Sequence, residues 1–145
     1  MCYELYLSTS SGQDLSQYNS DLIRFERLDK VSDGYTAFLK HPWNWYVGTS
    51  TGCSCALRHF AQDDPEFCEP QDWCREEDDD IRATAELYRV IASLIAGGGR
   101  VECLNAWSGA LHDEIKSMDV DLSVVSERAF CLFENHHFVF RYEAL

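Results

Sequence analysis

The chain is short of positive charge, and no apolar run in it approaches bilayer length. Twelve Lys and Arg stand against 25 Asp and Glu, a formal net charge of -13. A field of that sign repels phosphate backbones and anionic membrane surfaces, which argues against nucleic acid as a partner. The longest apolar candidate is broken by Arg89 and Ser93 and ended by Gly97, short of the roughly 18–20 residues that a spanning helix needs. The opening Met1-Cys2-Tyr3-Glu4 lacks the basic and apolar blocks of a secretory signal, so the expected compartment is the cytoplasm, with no membrane association. Internal repeats, coiled-coil heptads and an interdomain linker are also missing. The 145 residues therefore read as one globular domain, 1–145. No pair of cysteines has the two-residue spacing of a thioredoxin-like redox motif.

What is present suits a packed core, with 46% hydrophobic and 13% aromatic residues. Tyr3-Glu4-Leu5-Tyr6-Leu7 alternates with period two and predicts a strand with Tyr3, Leu5 and Leu7 on one face. Leu22 to Glu26 and Val101 to Trp107 read as strands, and Tyr35 to Leu39 as a short one ending before His41-Pro42. Trp45 to Thr49 and Cys53 to Leu57 flank Ser50-Thr51-Gly52, which predicts a hairpin turning on Gly52. Phe130 to Phe133 and Phe138 to Tyr142 predict a closing hairpin, with His136 and His137 in a solvated turn.

The clearest helix covers about residues 79–96, with Ile81, Ala85, Tyr88, Ile91, Ala92 and Ile95 spaced by three and four and the stripe widened by Leu87, Val90 and Leu94. Acids at its start and Gly97-Gly98-Gly99 at its end suit the helix dipole and the stop. A shorter helix is expected over about 108–118, carrying Leu111, Ile115 and Met118 on one side. The fold class is thus α+β, a largely antiparallel sheet of about five to seven strands packed by one long helix and one short one. Between about 61 and 77 the chain is acidic and aperiodic, with Pro65 and Pro70. A connection of that length in a compact domain is often functional or held by something.

The seven cysteines are the main chemical lead. Cys2, Cys103 and Cys131 fall in strand-like runs and are expected as packing residues, free of disulfides in a reducing compartment. Cys53 and Cys55, two apart on a predicted strand, point the same way with Leu57, and Ser54, Ala56 and Arg58 point to a wetter side. Simple core packing is the plain reading of that pattern. The chemical reading adds Cys68 and Cys74 from the acidic loop: Cys53, Cys55, Cys68 and Cys74 would give zinc four soft ligands at about 2.3 Å, with His59 as a substitute for any of them.

A third reading makes Cys53 or Cys55 a nucleophilic or redox thiol assisted by Arg58 or His59. Other groupings are weaker. The aromatic run from His41 to Tyr46 needs at least one ring for the core. The acids Glu76 to Asp80 lack the alternating ligands and glycine of a calcium loop. The expected function is a non-catalytic binding or interaction domain, zinc-stabilised through the cysteine cluster, with a protein or small molecule as partner. The alternative is a small thiol-dependent enzyme.

Overall fold

The computed structural model describes residues 2–108 and 114–143. Its centre is a six-stranded sheet built from β1 (Tyr3–Thr9), β2 (Ile23–Leu28), β3 (Trp43–Thr49), β5 (Val101–Trp107), β6 (Lys116–Asp121) and β8 (His136–Arg141). The spatial order is β2-β3-β1-β5-β8-β6, and every neighbouring pair is antiparallel except β6 with β8. A parallel pair, β4 (His59–Phe60) with β7 (Leu132–Phe133), forms a separate small ladder. The long helix α1 (Asp78–Ala96) lies against one face, so the expected α+β architecture is the one observed. Among the described residues no helix is long and apolar enough to cross a membrane.

Alternation along the strands sorts side chains between two apolar clusters. Leu5, Leu7, Val47, Cys103 and Phe138 point to the α1 face and meet Leu87, Ile91 and Leu94 of the helix. Tyr6, Leu104 and Ala106 point the other way, where Tyr35 and Leu39 cover them. Both faces of β5 are therefore closed, and its residues from Val101 to Ala106 are all buried. The helix turns Ala83, Thr84, Leu87, Val90, Ile91 and Leu94 inward, so the buried stripe centres on the Leu87, Val90 and Leu94 side of the wide apolar face that the sequence predicts. Thr84 sits inside because its hydroxyl donates to the Asp80 carbonyl and accepts the Arg58 amide, at 2.7 and 2.9 Å. Gly98, at φ 90°, and Gly99 turn the chain at the helix end by bonding to the Ile95 and Leu94 carbonyls.

Several local expectations change. Tyr35 to Leu39 is not a strand: a 3-10 turn at Asp33–Tyr35 leads into it, and the Leu39 amide bonds to the Tyr35 carbonyl at 3.0 Å. The predicted helix near 108–118 falls partly on 109–113, outside the described residues, and Lys116 to Met118 belong to β6. Phe130 to Tyr142 makes a turn at Asn135 (φ 54°), but β7 and β8 do not pair. The amides of Leu132 and Glu134 instead go to the carbonyls of Arg58 and Phe60. His136 and His137 lie in β8 and are buried, not solvated.

Candidate metal centre

The segment after β3 is shaped by side chains standing in for a backbone ladder. Gly52 takes φ 88° and its amide bonds to the Thr49 carbonyl at 2.9 Å, which reverses the chain. The Thr49 amide and hydroxyl both donate to the Cys53 carbonyl, at 2.8 and 2.6 Å. The predicted returning strand ends there. Ser54 is fully buried: its hydroxyl accepts the Leu5 amide at 2.9 Å and donates to the Val47 carbonyl. With Ser54 turned inward, Cys53 and Cys55 are left half-buried on the outer side. The face assignment from alternation therefore fails in part: Leu57 is buried as expected, but so are Ser54 and Arg58, while the two cysteines are not.

Ser54 also holds this segment against the start of β1, and that brings in Cys2. The Sγ atoms of Cys2, Cys53 and Cys55 all lie within 4.8 Å of one another. Three cysteines in that arrangement are close enough to hold a metal ion. The Tyr3 amide donates to Cys55 Sγ at 3.3 Å, and the Thr51 hydroxyl lies 3.4 Å from Cys53 Sγ. The thiols are electrostatically unlike. Burial raises the Cys53 pKa, but hydrogen bonds from Thr51, from the Cys55 thiol and amide and from the Cys2 thiol outweigh it and bring the value down to about 7. Burial and donation toward Cys53 push Cys55 up to about 12. The Cys53 sulfur is thus partly thiolate at neutral pH, and the Cys55 thiol donates a hydrogen bond to it.

The four cysteines of the acidic-loop reading are split. Cys53 and Cys55 join Cys2, whereas Cys68 and Cys74 line a cavity of about 210 Å³ together with Cys131, Arg58 and Phe60. What holds the loop is Arg58, which is 3% exposed. Its Nε and Nη2 reach both Glu76 oxygens at 2.7 and 3.1 Å, and its remaining donors go to the carbonyls of Cys68, Arg128 and Phe130. Phe67 adds an apolar anchor, its ring centroid 5.0 Å from that of Phe133. Cys103 and Cys131 are buried packing residues, as expected.

His59 stands beside the centre without entering it. Its ring stacks on Tyr3 at 4.0 Å and 3°, and its Nε2 meets the Ser54 carbonyl. A carbonyl only accepts, so Nε2 carries the proton and is spent on the backbone. Burial draws the His59 pKa down to about 4. Because the folded value lies below the ordinary one of about 6.5, the neutral ring's contribution is complete above that pH and is lost as pH falls toward 4. Denaturant titrations between pH 7 and pH 4 are expected to show a stability loss that His59→Phe reduces; identical pH profiles for the two proteins would contradict this.

Cys2 is the residue that pattern reading placed wrongly, as a packing residue of a strand. Its only sequence signal is its position next to β1, and nothing local says that β1 starts beside a turn 50 residues away. Compared with known protein families, curated proteins and solved structures, the chain matches none.

Proposed function

We propose that the protein binds zinc through three thiolates, those of Cys2, Cys53 and Cys55. The observation that carries this reading is the convergence of the three sulfurs within 4.8 Å. Tetrahedral zinc with bonds of about 2.3 Å needs sulfurs about 3.8 Å apart, a spacing that small rotations about χ1 supply. Soft thiolates suit zinc, and the low pKa of Cys53 favours the ligating form at neutral pH. With three protein ligands, the fourth position is left for water or for a donor atom of a partner, a protein or a small molecule. Cys2, Cys53 and Cys55 lie outside both apolar clusters, which supports a binding role for zinc over a core-forming one.

Protein purified without chelators should contain one zinc per chain by elemental analysis. Cys2→Ser should lose it, while Cys68→Ser and Cys74→Ser should keep it. Substoichiometric zinc after loading, or equal loss in Cys68→Ser, would sink the proposal.

A second reading rests on the Cys53 thiol, whose pKa of about 7 also suits a nucleophile. Removing its donor by Cys55→Ala should raise that pKa. The first unit of rise cuts the thiolate fraction at pH 7 by about fivefold, and iodoacetamide alkylation of metal-free protein, followed by mass spectrometry, should slow accordingly. An unchanged rate would show that the hydrogen bond to Cys53 has no chemical effect. Metal-free protein with one fast thiol as isolated would favour this second reading over zinc binding.

A further inference from the structure

Far from the cysteines in sequence, Ser117 on β6, His137 on β8 and Glu102 on β5 come together across three neighbouring strands. Register puts Ser117 and Leu104 directly beside His137, so all of them belong to the sheet face opposite α1. Ser117 Oγ is 2.9 Å from His137 Nδ1, and His137 Nε2 is 3.1 Å from Glu102 Oε1. On the other carboxylate oxygen, Glu102 Oε2, sits His41 Nε2 at 3.0 Å. We propose that Ser117, His137 and Glu102 form a nucleophilic acyl-transfer site that acts on carboxylic esters.

The direction of each hydrogen bond follows from chemistry. A carboxylate only accepts, so neutral His137 carries its proton on Nε2 and its lone pair on Nδ1. The Ser117 hydroxyl must therefore donate to Nδ1, which is the arrangement a general base needs before it takes the proton. Burial lowers the His137 pKa against the pull of Glu102, so the lone pair is available at neutral pH. His41 ties down the second oxygen of Glu102, which keeps the first aimed at His137. Phe38, its ring centroid 5.3 Å from that of His137, covers the base. His137 and Glu102 are 5% and 8% exposed, while Ser117 is open to solvent. A shielded base and carboxylate behind an accessible hydroxyl is the division of roles that serine acyl transfer uses.

In the reaction Ser117 Oγ bonds to the ester carbonyl carbon as its proton passes to His137 Nδ1. The bond from that carbon to the leaving alkoxide breaks, and His137 returns the proton to the alkoxide, releasing an alcohol. Water, deprotonated by the same nitrogen, then cleaves the acyl-serine to a carboxylic acid and restores Ser117. Glu102 pairs with the transient imidazolium throughout and is a positioning residue.

A biotinylated fluorophosphonate and p-nitrophenyl acetate test this on the full chain. Wild-type protein should be labelled at Ser117, located by peptide mass spectrometry, and should release p-nitrophenol faster than heat-denatured protein does. Ser117→Ala, an exposed change that leaves the fold intact, should abolish both. Glu102→Gln, with its folding checked by circular dichroism, should label at least tenfold more slowly. It should also move the acid limb of the rate–pH profile to lower pH, because the charge that raises the His137 pKa is gone. Absence of labelling, labelling that persists in Ser117→Ala, or a Glu102→Gln variant with wild-type rate and pH profile would overturn the assignment.

Discussion

Replacing Arg58 by Met is expected to cost about 3–5 kcal/mol of unfolding free energy, the range seen when one partner of a buried ion pair is removed. The size follows from how many groups depend on one guanidinium. Glu76 loses both of its short contacts and keeps a largely buried charge, its side chain 13% exposed. Three backbone carbonyls, those of Cys68, Arg128 and Phe130, lose donors at the same time. These carbonyls lie in the acidic loop and in the approach to β7, so both should loosen together. Urea denaturation gives the free energy, and limited proteolysis should show new cleavage between residues 61 and 77. Adding Glu76→Leu removes the stranded carboxylate and should recover part of the loss. A cost below about 1 kcal/mol would mean that the loop is held by something other than Arg58.

Cys53→Ser is expected to weaken zinc binding by at least about a hundredfold, since it removes one of three thiolate ligands and the one most readily deprotonated. The hydroxyl that replaces the thiol is a poor ligand for zinc at neutral pH. Cys74→Ser, on the cavity beside Arg58, should change the affinity by less than about twofold because its sulfur lies outside the cluster of Cys2, Cys53 and Cys55. Competition with a chromophoric chelator measures both variants on one scale. Equal effects for the two would mean that the loop thiols share the ion.

How much of this was legible in the sequence depends on whether the signal was local. The long helix was readable because a three-and-four period lies within it and a triple glycine stop directly follows it, and β1 because its alternation matches the two-sided sheet. Tyr35 to Leu39 was misread although its own spacing carried the answer: Tyr35, Phe38 and Leu39 stand three and four apart, the spacing of a helical turn. Cys53 to Leu57 alternates like a strand, but the ladder it would need is replaced by the Thr49 and Ser54 side chains, a substitution that periodicity does not register. At the candidate centre, Cys53 and Cys55 stood out through their spacing. Cys2 did not, because its membership depends on β1 beginning next to the Gly52 turn. Cys68 and Cys74 were drawn in because a long acidic loop asked for an anchor, and the anchor is Arg58, which alternation had assigned to the wet side. The Ser117 and Glu102 contacts to His137 are cross-strand neighbours, legible only once strand order is known.

The most direct test of the zinc centre is X-ray absorption at the zinc edge on protein loaded with one equivalent of the metal. Three sulfur scatterers at about 2.3 Å and one oxygen or nitrogen near 2.0–2.1 Å are expected for Cys2, Cys53, Cys55 and an exchangeable fourth ligand. A shell of four sulfurs, or one made only of oxygen and nitrogen, would contradict it.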